Sequence, residues 1–110
     1  MPTKIERHDK VDFDIRKAVD YYGNFSPLTA RKFQNRLYTA VNFLEDFPEG
    51  APYFPWTGKL IYRYKKIKGF PYAAYYKYEK TSNTVFVLAV ANTRQNPSKL
   101  GRLIGFRAKD

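Results

Sequence analysis

Lys59 to Pro97 reads KLIYRYKKIKGFPYAAYYKYEKTSNTVFVLAVANTRQNP. It is three aromatic or β-branched runs separated by two places where the chain reverses. The middle run alternates with period two: Tyr72, Ala74, Tyr76 and Tyr78 fall on one face, and Ala73, Tyr75 and Lys77 on the other. The third run, Val85 to Val90, is almost wholly apolar, the pattern of a central strand buried on both sides. Gly69 marks the first reversal and Thr81-Ser82-Asn83 the second. The stretch predicts an antiparallel meander whose last strand runs out into a polar end at Asn92-Thr93-Arg94.

Outward from that sheet, the chain totals narrow the function. A length of 110 residues is one domain, residues 1–110, able to bury a single core without covalent staples. There is no cysteine, hence no disulfide framework, thiolate metal site or thiol nucleophile, and the single histidine, His8, rules out a histidine pair. No cofactor is expected. No apolar run approaches the roughly 20 residues that span a bilayer, and the charged start MPTKIERHDK does not read as a signal peptide. A cytoplasmic location with no membrane partner is the expectation.

The net charge of +10 is unevenly placed. Residues 1–57 carry eight Lys/Arg against eight Asp/Glu, and residues 58–110 carry twelve against two, so the whole excess lies in the predicted sheet and tail. Such segregation points to a polyanionic partner (nucleic acid, ribosome, anionic membrane, or an acidic protein) more than to a merely soluble surface.

Before the meander, Thr3 to Arg7 is a short candidate edge strand. Asp9 is the expected cap of a following helix, with Asp12 and Asp14 in the first turn where the helix dipole favours carboxylates. Val11, Ile15, Ala18, Val19 and Tyr22 make its apolar stripe, and Gly23 its expected left-handed stop. Ser26-Pro27 opens a second helix, apolar at Ala30, Phe33, Leu37, Ala40, Val41 and Leu44, that ends at Pro48 and Gly50. Both stripes read as core. In the connection APYFPWTG (51–58), Trp56 is either a cover for the end of the core, the preferred reading, or a platform for stacking a base. Asn96-Pro97 opens a short final helix with Leu100, Leu103 and Ile104 on one side, and residues 106–110 are expected to fray or await a partner. The order is β-α-α-β-β-β with a short basic C-terminal tail: an α+β fold, helical hairpin packed on an antiparallel sheet.

This order and several local signatures resemble the RelE/ParE superfamily of type II toxin–antitoxin toxins, also called plasmid-stabilisation proteins. The resemblance is carried by Asp20-Tyr21-Tyr22, Ser26-Pro27 with Ala30 and Phe33, and Leu44 with Phe47-Pro48-Glu49-Gly50. It continues through Ile67 with Gly69-Phe70-Pro71-Tyr72, Tyr75-Tyr76, Val87-Leu88-Ala89-Val90, Thr93-Arg94 and Asn96-Pro97. It implies a toxin neutralised by a cognate acidic antitoxin, with operator DNA bound only through the antitoxin complex. RelE-like members cut messenger RNA on the ribosome; ParE-like members poison DNA gyrase.

The residues lean to the ParE side. Metal-free RNA cleavage needs a base for the 2′-hydroxyl, an acid for the leaving oxygen and cations for the phosphorane. Arg63, Lys65, Lys66, Lys68 and Arg94 supply cations for binding a target or phosphate. His8 sits at the opposite end of the chain and Glu79 at a hairpin tip, which leaves a lysine base, and Lys66 and Lys68 match the nuclease branch's strand lysines by position. Where that branch has an arginine after the glycine-aromatic turn, this chain has Pro71. Where it has a tyrosine beyond the last-strand arginine, this chain has Pro97, Ser98 and Leu100. Lys99, Arg102 and Arg107 are the expected contacts to antitoxin or target. The favoured expectation is a gyrase-binding toxin. The alternatives are an mRNA endonuclease using Arg94 with Lys66 and Lys68, and a non-toxic relative that binds nucleic acid or protein. Each cation also has a plainer reading: a capping role for Arg94, and a solvated or protected strand edge for the lysines.

Overall fold

The structure, a computed structural model, describes residues 2–109. The elements are β1 (Lys4–Arg7), α1 (Val11–Gly23), α2 (Pro27–Asp46), a 3-10 turn (Pro55–Thr57), β2 (Tyr62–Lys66), β3 (Tyr72–Glu79), β4 (Thr84–Asn92) and α3 (Pro97–Arg107). The four strands form one sheet in the order β1-β4-β3-β2. The meander β2-β3-β4 is antiparallel as its alternation requires, whereas β1 joins parallel to β4, pairing Lys4 with Thr84 through Arg7 with Val87. The sheet is therefore mixed. Among the described residues no helix is long and apolar enough to cross a membrane.

Local chemistry explains most boundaries. Ser26 is extended and its Oγ accepts from the Thr29 N–H at 3.0 Å, with Pro27 next, so α2 starts where the sequence says. Asn96 caps α3 by accepting from the Ser98 and Lys99 N–H groups. The first reversal closes with Phe70 N–H donating to the Ile67 carbonyl, and Gly69 supplies its left-handed residue at φ 84°. Two expectations fail at α1. The cap position is Lys10, without a side-chain bond, because Asp9 stands one residue too early. Gly23 lies within the helix, and Asn24 follows in right-handed geometry, so no left-handed stop exists there.

The sheet is covered on both faces. On one, α1 and α2 bring Val11, Ala18, Phe33, Leu37 and Leu44 onto Ala74, Tyr76, Val85, Val87 and Val90. On the other, Phe54, Leu100 and Ile104 close over Ala73, Tyr75, Leu88 and Ala89. A bulge makes this two-sided packing possible. Tyr75 opposes Ala89 and Tyr76 opposes Val87, leaving Leu88 without an opposite residue. Leu88 and Ala89 consequently both serve the second face, and Val90 returns to the first.

The C-terminal segment is not a frayed tail. Helix α3 runs to Arg107, which is only 8% exposed, so the expected loose end does not begin at Phe106; Asp110 lies outside the described residues. Gly101 lets α3 approach the 3-10 turn. A Cβ there would come within 2.1 Å of the Trp56 carbonyl oxygen, so glycine, a poor helix former, is what the packing requires. The Arg107 guanidinium donates to both carboxylate oxygens of Asp14, at 2.6 and 3.0 Å, and to the Leu88 carbonyl at 3.0 Å. Asp14 also accepts from the Val90 N–H at 3.1 Å. By contrast, Lys4–Glu6 and Arg7–Asp12 are mostly solvent-facing pairs, a class contributing about 0–1 kcal/mol.

Removing one partner of a buried pair leaves an uncompensated charge and costs about 3–5 kcal/mol. Asp14→Asn should therefore lower unfolding stability in urea by about 3 kcal/mol, and Asp12→Asn by less than about 1 kcal/mol; equal effects would remove the distinction. A second expectation concerns alkaline pH. Burial pushes the Tyr75 and Tyr76 phenols from their ordinary 10.0 up to about 12. Unfolded phenols ionise near 10 while these two hold their protons, so the unfolded chain binds fewer protons and stability falls with rising pH. The stabilisation is intact below pH 10 and should be lost from about pH 10 through about 12, with two phenols titrating late by ultraviolet absorbance.

Candidate functional site

Three strand ends meet at one corner of the sheet. β2 ends at Lys66, β3 begins at Tyr72, and β4 ends at Asn92 opposite Tyr72. Two backbone bonds fold the following residues onto the corner. Thr93 N–H donates to the Pro71 carbonyl at 2.8 Å, and Arg94 N–H donates to the Asn92 side-chain oxygen at 2.8 Å. The result is an open depression of about 400 Å³ with Lys66, Phe70, Tyr72, Thr93 and Arg94 on its rim. Its support is an aromatic cluster. Tyr22 lies 4.8 Å from Phe70 between ring centroids, and Phe33 lies 5.3 Å from Tyr72.

Electrostatics bind Tyr22 and Tyr72 to this corner. The Tyr22 phenol is raised by burial first, then by Tyr72 and Tyr21, while the Arg94 guanidinium acts in the opposite direction. The Tyr72 phenol is also raised, mainly by burial, with the Asn92 side chain opposing. Burial thus favours the neutral phenol at both positions, and Tyr72 shares the rim of the depression with Arg94. These two tyrosines escaped the sequence reading. Their sequence signals were the Asp20-Tyr21-Tyr22 and Gly69-Phe70-Pro71-Tyr72 signatures and, for Tyr22, its place in a helical stripe.

The sequence-derived cations do not act together. Strand alternation sends Arg63 and Lys65 toward the α2 side, and Lys66 to the opposite face. Arg63 donates to the Glu49 and Ala51 carbonyls at 3.1 and 2.8 Å and to the Tyr53 hydroxyl at 2.8 Å, and stacks 3.9 Å from the Tyr53 ring centre. It pins the connection after α2 and has no free fork for phosphate. Lys65 sits 4.0 Å from the centre of the Phe43 ring. Lys68 is exposed in the reversal, outside the depression. Lys66 and Arg94 are the two cations brought together. Of the expected partner contacts, Lys99 and Arg102 are exposed on α3, whereas Arg107 is buried in its bonds to Asp14 and Leu88 and is corrected to a structural residue. Trp56 is 54% exposed, so the preferred reading of it as a core cover is also corrected; Phe54 takes that place.

Proton-transfer groups stand elsewhere. The His8 N–H bonds the Val87 carbonyl, five residues before Asn92, roughly 17 Å along the strand at about 3.4 Å per residue. Glu79 pairs with Thr84 at the far end of the same strands. The corner offers Arg94, Lys66 and the Tyr72 phenol to an anionic group, and among the described residues no carboxylate or imidazole lines it.

A mixed sheet between a helical hairpin and a C-terminal helix, with cations at one corner, defines a small α+β domain built to engage a partner. Its sequence matches the family model of the ParE toxin of the type II toxin–antitoxin system, parDE, over residues 5–97, and the chain belongs to that family. No curated protein matches it. Among solved structures it is similar to a chain of the chromosomal ParDE TA system from P. aeruginosa, with TM-score 0.68 and 16% identity, covering 82% of this chain and 95% of that one. At that identity the likeness is one of fold, and it agrees with the expected architecture.

Exposure separates the two arginines by experiment. Arg94→Ala should abolish growth inhibition while changing unfolding stability by no more than about 0.5 kcal/mol. Arg63→Ala should instead cost about 1–3 kcal/mol by orphaning the carbonyls it satisfies. Full toxicity in a folded Arg94→Ala protein would remove that residue from the site.

Proposed function

We propose that this type II toxin stops growth by binding DNA gyrase and that a cognate acidic antitoxin masks it. The observation carrying the binding reading is the Arg94 corner: Arg94, Lys66 and the Tyr72 phenol line it, and no described carboxylate or imidazole does. Membership of the ParE family supports gyrase over the ribosome as target. The excess of cations after residue 57 supports an acidic antitoxin, and Lys99 and Arg102, exposed on α3, are its proposed contacts or those of the target.

The competing reading is an mRNA endonuclease that relies on Lys66 as base and Arg94 as phosphate clamp. Induced expression separates the two. Gyrase poisoning should induce the DNA-damage response, and the purified protein should inhibit supercoiling of relaxed plasmid by purified gyrase. Primer extension on cellular messages should then show no codon-register cuts. Such cuts, with normal supercoiling, would establish the nuclease instead.

A further inference from the structure

A second basic cleft lies away from the Arg94 corner, between the 3-10 turn, the sheet and α3. Its volume is about 600 Å³. Lys59, Lys77, Arg102 and Lys109 line it, and no carboxylate among the described residues does. Two large aromatics, Trp56 and Phe106, also line it and are 54% and 70% exposed. Rings of that size left in water at a cleft with four cations are not explained by the core, which is complete without them.

Gly101 and Gly105 of α3 line the cleft without side chains. Gly101 is required for close packing, since its Cβ would strike the Trp56 carbonyl. Gly105 has no such reason. A Cβ added there meets nothing within 4 Å, so the missing side chain leaves open space inside the cleft.

We propose that this cleft binds single-stranded nucleic acid, with unpaired bases stacking on Trp56 and Phe106 and phosphates running past Lys59, Lys77, Arg102 and Lys109. Stacking accepts any planar base, and clustered cations track a phosphate backbone, so the site is tolerant of sequence. A duplex hides its base faces and fits less well. An acidic protein segment would satisfy the charge but would leave two aromatic faces without a matching planar group. This activity does not use the Arg94 corner on which the proposed gyrase binding rests; Arg102 is the one residue it shares with the proposed antitoxin or target contacts.

Trp56 is the only tryptophan of the chain, so its fluorescence reports on this site alone. Titrating the full chain with oligo-dT and oligo-U of eight nucleotides should quench it saturably; preference for one shows whether DNA or RNA is the natural strand. With about four phosphates neutralised, affinity should fall roughly 50-fold between about 50 and about 200 mM salt. Lys59→Gln with Lys109→Gln should roughly halve the logarithmic salt slope. Gly105→Leu adds bulk where a Cβ has open space and should weaken binding at least about tenfold at an unchanged melting temperature. If that variant melts early, Phe106→Ser, a change at an exposed position, serves with the same expectation. Arg94→Ala should bind the oligonucleotides normally, so loss of gyrase inhibition and loss of this activity are told apart. No quenching, binding retained in the cleft variants, equal affinity for duplex, or displacement of the oligonucleotide by a poly-glutamate peptide at comparable concentration would each overturn the proposal.

Discussion

The bidentate contact between Asp14 and Arg107 ties together three parts of the chain that nothing else joins so directly. Strand β1 is short and leaves β4 at Val87, so on that edge β4 continues without a neighbouring strand, paired only with β3. Beyond that point the Val90 N–H and Leu88 carbonyl would be buried without partners, a loss of about 1–3 kcal/mol for each group. Asp14 from α1 takes the first and Arg107 from α3 the second. Each side chain also neutralises the other. The pair thus does in side-chain form what a longer β1 would have done in backbone form, and it anchors the C-terminal helix to the sheet. Because one charge depends on the other for its solvation, the anchoring is cooperative.

That anchoring decides which surfaces remain for partners. With α3 docked, both faces of the sheet are occupied and the cationic half of the chain cannot present one continuous plane. It is divided into the Arg94 corner at the end of the strands and the cleft beside α3, with Arg63 and Lys65 turned toward the helical side. Pairing period, not charge repulsion, does the dividing: neighbouring residues on a strand point to opposite faces. An anionic partner therefore meets two separate sites of different character. One has a phenol beside a guanidinium, and the other has exposed rings among lysines.

The fold was largely legible in the chain. Alternation from Tyr72 to Tyr78, the apolar run from Val85, Ser26-Pro27 and Asn96-Pro97 each have a local physical meaning, and the structure honours all four. The misreadings were also local. Asp9 and Gly23 look like helix signals, but a cap works only at the position where the backbone leaves helical geometry, and that is set by packing. The parallel entry of β1 was not readable, since no local pattern says which neighbour a short edge strand will choose.

The site was legible in part. The sequence by itself determined the residue types, the reversal at Gly69, the strand that carries Arg94 to its end and the charge imbalance between halves. Only the tertiary structure decided that Arg107 is internal, that Arg63 is spent on backbone carbonyls, and that Tyr22 joins Tyr72 beside Arg94. Burial and pairing of a charged side chain depend on groups brought from elsewhere in the chain: Asp14 and Arg107 stand 93 residues apart, and no spacing within either segment encodes that they meet.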